Sequence, residues 1–174
     1  YSEARRRAER LALITRISAA VGAVLNLPDL LEAVRREVVP VFEADAFFIA
    51  LYDQAAGELD FRIQEDEGRR YPPTREPVGS GLTSRVIRDG RPLLVNDVTH
   101  PAGDMPQPEP WGTDRMPSSW MGVPILIRDR LIGVMNVQTY SPHLYTEEDV
   151  QLAAKIADQV AVALENARLY DEVR

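Results

Sequence analysis

His100 and His143 are the only two histidines in this 174-residue chain, and no cysteine accompanies them. Without thiols there is no disulfide, thiolate-bound metal, thiol nucleophile or thioether-linked chromophore. Hydroxyl-based acyl transfer needs a nucleophile with a base in reach. Yet both histidines stand beside prolines in loop-like segments, and no serine occupies a Gly-x-Ser-x-Gly turn. The acidic residues Asp53, Glu58, Asp60, Glu65, Asp66 and Glu67 are spread through a turn and a strand. They suit a solvated edge and lack metal-ligand spacing. The residues therefore point away from an enzyme.

Binding chemistry has better candidates. Trp111, Met116, Trp120 and Met121 gather around a stretch from Val98 to Pro117 that holds five prolines, Pro101, Pro106, Pro108, Pro110 and Pro117. A connection of that length inside a compact domain is usually functional or mobile. Aromatic and methionine side chains line adaptable pockets, and ordinary core packing is the competing role. Asn136 and Gln138 fall on the same strand face as Ile132 and Val134, which makes them polar groups inside an apolar cavity or partners of nearby backbone. Asp97 ends a strand beside the long stretch, where it forms a turn or meets a ligand.

The elements that must position these residues can be read from periodicity. A helix is expected from about Ser2 to Leu25, with Leu11, Ile14, Ser18, Val21 and Leu25 in a 3-4-3-4 seam. Pro28 opens a second helix and Pro40 kinks or ends it. Ala46 to Tyr52 reads as a strand buried on both faces, and Glu58 to Glu65 as its partner. Tyr71 to Pro77 reads as a loop. Gly79-Ser80-Gly81 opens a short helix, Leu82 to Asp89, that Gly90 stops in the left-handed region. Leu93 to Val95 is a brief strand. Trp120–Ile127 and Leu131–Tyr140 form a hairpin joined at Arg128-Asp129-Arg130. Thr146 caps a last helix whose Ile156, Val160, Ala163, Ala167 and Tyr170 again make a seam. The order predicts an α+β domain.

Composition agrees with one globular domain: 45% of residues are hydrophobic and 27% charged. The net charge of −7 speaks against a nucleic-acid surface, and the basic run Arg5-Arg6-Arg7 with Arg10 is broken by Glu9 on a helix face. No apolar run approaches the roughly 20 residues that cross a bilayer. The chain opens on Tyr1, and neither glycine nor proline follows Thr146. A fragment of a longer cytoplasmic protein is expected, divided into a signalling and dimerisation helix (1–26), a core (27–145) and a helix leading to an output domain (146–174).

The sequence resembles the GAF family over roughly Leu27 to Tyr170. The residues that carry the resemblance are Gly79-x-Gly81-Leu82 before Val86 and Gly90, then Pro92 with Val95-Asn96-Asp97. They continue with Gly122-Val123-Pro124-Ile125, Ile132-Gly133-Val134-Met135-Asn136-Val137 and Leu164-Glu165-Asn166-Ala167-Arg168-Leu169-Tyr170. The resemblance implies a central antiparallel sheet of five to six strands with helices on both faces. It also implies a pocket on one face under the Val98–Pro117 stretch, and long terminal helices packed together on the other face as a homodimer contact. The dimer candidates are Leu11, Ile14, Val21, Ile156, Val160, Ala163 and Ala167. The pocket candidates are Asp97, Trp111, Met116, Trp120, Met121, Asn136 and Gln138. The function implied is regulatory: a sensor that binds a small molecule noncovalently and signals to a histidine kinase or diguanylate cyclase type of output. The alternatives are a purely structural dimeriser and a redox or light sensor with a noncovalent cofactor. No cofactor is expected. Absence of cysteine excludes a covalent bilin, no histidine between Ala102 and Met121 speaks against haem, and the cyclic-nucleotide motif is not matched.

Overall fold

The computed structural model describes residues 2–24, 26–96, 116–141 and 144–173, the last three by backbone alone. Leu25, Asp97, His100, Trp111, His143 and most of the Val98–Pro117 stretch lie outside the described residues. The elements run α1 (Glu3–Gly22), α2 (Leu27–Val41), β1 (Ala46–Asp53), β2 (Glu58–Asp66), β3 (Arg69–Tyr71), β4 (Thr74–Pro77), α3 (Leu82–Asp89), β5 (Leu93–Val95), β6 (Ser119–Ile127), β7 (Arg130–Thr139) and α4 (Glu147–Val173).

Local chemistry accounts for the boundaries. The Ser2 hydroxyl accepts from the Arg5 N–H, and the Asn26 side chain accepts from the Asp29 N–H with Pro28 in the first turn. Thr146 and Asp149 cap α4 reciprocally: the Asp149 N–H donates to Thr146 Oγ1 at 3.3 Å and the Thr146 N–H to Asp149 Oδ2 at 2.8 Å. Gly90 stops α3 at φ 63°. Arg128 and Asp129 both take positive φ, 50° and 65°. A two-residue hairpin turn matched to the sheet's twist requires that.

The described strands form one sheet of seven, ordered β3-β2-β1-β7-β6-β5, with β4 also on β2. Every pairing is antiparallel. This exceeds the five to six strands expected, because Tyr71–Pro77 is not a plain loop. Tyr71 pairs with Gln64 and Thr74 with Phe61, so two short edge strands add successively along β2 with Pro72 and Pro73 between them. Proline is tolerated at such edges. Pro124 sits in β6 opposite Val134 of β7 and beyond the last pairing with β5, which spans only Trp120 to Gly122, so it has a strand partner on one side alone. Gly133 makes room toward β1, not across the hairpin: a Cβ there would lie 2.6 Å from the Ala50 carbonyl oxygen.

Period-two alternation splits the core across the sheet. Phe47, Ile49, Met121, Val123, Ile125, Met135 and Val137 face α1, α2 and α4. Phe48, Ala50, Trp120 and Val134 face the other way, where Leu82 and Val86 of α3 cover them. Helices therefore lie on both faces. The two terminal helices pack together and run parallel: Ser18 Oγ donates to Gln159 Oε1 at 2.9 Å while Arg6 meets Glu148 at 3.9 Å, so their numbering rises in step.

The same packing corrects the dimer positions. Val21, Ile156, Val160, Ala163 and Ala167 are each at most 5% exposed within the single chain. They fill the core between α4, α1, α2 and the sheet, so they offer no surface to a second copy. A heptad-like spacing reports a buried stripe and does not say whose side chains bury it. Ile14 is half-buried, and Leu11 is 61% exposed. Val160→Asp would place an unpaired charge at a position with no exposure. It is expected to cost about 4 kcal/mol and lower the melting temperature sharply. A folded, fully stable variant by circular dichroism would show that Val160 faces outward.

Candidate functional site

On the face opposite the terminal helices the sheet carries a cavity of about 160 Å³. Its floor is aromatic. Phe48 of β1 and Phe61 of β2 meet edge to face, with centroids 5.1 Å apart and planes at 64°. Trp120 of β6 lies beside them, 2% exposed. The indole lies across Gly122, where a Cβ would come within 2.7 Å of its six-membered ring. Glycine at 122 is thus what lets the tryptophan lie against the sheet.

The wall is the turn from Gly79 into α3, with Met116 and Pro117 opposite. That turn is held by its own helix: the Gly79 N–H donates to Ser84 Oγ at 2.8 Å, and the Arg88 guanidinium donates to the Gly79 carbonyl. Gly81 caps α3 without a side-chain bond. Among the described lining residues only Glu76 is charged, and it is exposed.

Two amides enter this apolar face from β7. Asn136 is fully buried and Gln138 is 3% exposed. Asn136 Nδ2 donates to the Met121 carbonyl at 2.9 Å, and Gln138 Nε2 donates to Asn136 Oδ1 at 2.7 Å. The order is forced. A carbonyl can only accept, so it orients the Asn136 amide, which in turn makes the Gln138 nitrogen the donor. Gln138 Oε1 is left over. It has no partner among the described residues, and neither does the Trp120 indole N–H. Both residues line the cavity.

A ring of three hydrogen bonds joins the cavity's edge to the lead-in of α4; Ser119 and Tyr145 are buried in it, and Asn96 closes it from the exposed side. Ser119 Oγ donates to Asn96 Oδ1 at 2.6 Å, Asn96 Nδ2 to the Tyr145 carbonyl at 3.1 Å, and the Tyr145 N–H back to Ser119 Oγ at 3.2 Å. Ser119 directly precedes Trp120. The Tyr145 hydroxyl donates to the Phe42 carbonyl at 2.9 Å, and burial, then the charges of Asp149, Asp45 and Glu43, push its pKa above the usual tyrosine value. It stays a neutral donor.

Of the sequence-derived pocket residues, Met116, Trp120 and Gln138 line the cavity and Asn136 stands directly behind Gln138. Met121 is corrected: it is 1% exposed on the helix-covered face, because its neighbour Trp120 occupies the other. Asp97 and Trp111 lie outside the described residues. Phe48, Phe61, Ser84 and Ser119 were not singled out as site residues from sequence, and Asn96 entered only through the family motif. Their types suit ordinary strand and turn positions, and only the register brings them together. The acidic edge is occupied by its own counter-ion. Arg75 reaches Asp53, Glu58 and Asp60 at 2.8, 3.1 and 3.3 Å. Among the described residues no metal-ligand cluster is present, and no helix is long and apolar enough to cross a membrane.

This arrangement, an antiparallel sheet with helices on both faces and a cavity on one of them, belongs to a known domain family. The GAF domain model matches residues 24–165, and the chain belongs to that family. It is 25% identical to the circadian input-output histidine kinase CikA of Thermosynechococcus vestitus, over 93% of this chain and 24% of that one. It is 23% identical to the formate hydrogenlyase transcriptional activator FhlA of Escherichia coli, over 97% of this chain and 25% of that one. The chain thus spans about a quarter of the length of these relatives and resembles segments of signalling and regulatory proteins. The GAF domain of a phosphoenolpyruvate-protein phosphotransferase from Coxiella burnetii shares the fold, with a TM-score of 0.78 at 21% identity, covering 94% of this chain and 96% of that one.

Asn136→Ala would remove the side-chain donor to the Met121 carbonyl, leave the Gln138 Nε2 without its acceptor and open a cavity. A loss of about 2–4 kcal/mol is expected in urea denaturation. A loss below about 1 kcal/mol would mean the two amides are not the bridge described.

Proposed function

We propose that this chain is the noncatalytic sensory module of a cytoplasmic signalling protein, of the histidine kinase or diguanylate cyclase type. It binds a small molecule noncovalently in the cavity above the sheet, forms a homodimer through α1, and passes the signal along α4 to an output domain. The observation that carries this reading is the Ser119–Asn96–Tyr145 ring. A ligand that moves Trp120 moves Ser119, and Ser119 holds the residue that leads into a 27-residue helix. Because α1 and α4 run parallel, the start of one and the end of the other lie at opposite ends of the pair. That geometry suits a relay in which segment 1–26 is the entry, 27–145 the sensor core and 146–174 the exit.

The dimer surface is taken from α1's outward side. Ala4, Ala8, Leu11, Thr15, Ala19 and Gly22 are all exposed and lie roughly opposite the buried Ile17 and Val21. A solvated helix face normally carries charge, and this one carries small and apolar side chains. A second copy of the same face is the simplest cover, with a two-fold axis between them.

Two measurements test the reading. Light scattering is expected to give a dimer that Ala8→Glu with Leu11→Glu converts to a monomer of unchanged helical circular dichroism. An unchanged dimer would remove α1 from the interface. Native mass spectrometry of freshly purified protein is expected to show a bound small molecule. A bare polypeptide mass that no metabolite extract shifts would favour a structural dimeriser.

A further inference from the structure

Two polar atoms of the cavity's lining residues, without a partner among the described residues, describe what would fill it. Gln138 and Trp120 are directly cross-strand neighbours in the β6–β7 pairing, 3% and 2% exposed, and both line the cavity. The fixed chain from the Met121 carbonyl through Asn136 makes Gln138 Oε1 an acceptor in want of a donor. The indole N–H is donor only, in want of an acceptor. Desolvated groups of this kind favour an occupant that satisfies both.

Size and charge narrow it further. A cavity of about 160 Å³ compares with the roughly 150 Å³ apolar cavity that holds one benzene ring. The floor is aromatic, suited to a planar ring. No described lining residue is cationic, and the one charged side chain, Glu76, opposes an anion. An ammonium would answer Gln138 and leave the indole unanswered.

We propose that the cavity selects an uncharged single-ring molecule bearing a carboxamide or lactam group. Its N–H donates to Gln138 Oε1, and its carbonyl accepts from the Trp120 indole N–H. The proposal rests on the ligand-binding reading above, and the two can fail separately.

The test titrates the 174-residue chain with benzamide, benzoate and toluene, following the indole N–H cross-peaks of its two tryptophans by nuclear magnetic resonance. Trp120→Phe assigns the peak. Benzamide is expected to bind about tenfold or more tightly than either other probe and to move the Trp120 indole proton downfield. Gln138→Leu is expected to weaken benzamide about tenfold while toluene binds as before, which also shows the variant folded. Should Gln138→Leu fail to fold, Trp120→Phe carries the same comparison, with benzamide about tenfold weaker and toluene unchanged. Benzamide no tighter than toluene, or benzoate as tight as benzamide, would overturn the proposed ligand class. If none of the three binds at millimolar concentration, the cavity's ligand-binding role falls with it.

Discussion

A sheet that is apolar on both faces has to be covered twice, and here each cover is assigned by a period of two residues. Along β6 the odd positions Met121, Val123 and Ile125 go to the terminal helices and the even position Trp120 to the cavity. A one-residue slip would exchange every side chain between the two sides. The register is pinned where strands approach most closely. At Gly133 any side chain would meet the Ala50 carbonyl oxygen at 2.6 Å, so β1 and β7 can sit at their spacing only with glycine there. With that contact set, Asn136 and Gln138 fall on the cavity side without further instruction.

Placing two amides on an apolar face is costly unless they bond, at about 1–3 kcal/mol for each group left unpaired. The chain from the Met121 carbonyl to Asn136 to Gln138 offsets that cost for Asn136 completely and for Gln138 in part. A ladder of this kind ends with a surplus by arithmetic: each amide has both a donor and an acceptor, and the first acceptor is backbone. The surplus falls on Gln138, the amide that lines the cavity. Polar residues that a purely structural face would replace by valine or leucine are thereby understandable as the price of a directed acceptor.

Much of this was legible in the residues. Gly90 stopping α3, Thr146 capping α4, the β6–β7 hairpin and the buried strand at Ala46–Tyr52 follow from local rules that packing did not override. Gln138 and Trp120 were legible as pocket residues because polar or bulky groups stand out in strands. What was hidden is non-local. The two edge strands beside Pro72 and Pro73 are too short to show a period, and β2 alone makes them strands. Met121 was grouped with Trp120 by adjacency, although neighbours in a strand face apart. The stripes through Val160 and Ala167 were visible as stripes, but spacing cannot tell an intrachain core from an interface. The Ser119–Asn96–Tyr145 ring joins residues 23 and 26 positions apart, beyond any local pattern.

The two faces of the sheet set a problem of communication, since the cavity and the terminal helices lie on opposite sides of a densely packed layer. A close-packed core resists sliding and transmits displacement where it is stiffest. Side-chain links at Arg130 and at Ser119 join the cavity-bearing strands to α4 and its lead-in. One is Arg130 to Glu165 at 3.3 Å, near the helix's far half. Both side chains are partly or largely open to solvent, and such a pair contributes about 0–1 kcal/mol. The other is the hydrogen-bonded ring at Ser119, a residue with no exposure, directly beside the tryptophan that lines the cavity. Within that ring the bond from the Tyr145 N–H to Ser119 Oγ is buried, and a buried bond is not readily exchanged for water as the cavity's contents change. The stiff route from one face to the other therefore runs around the end of β6 and into the first turn of α4.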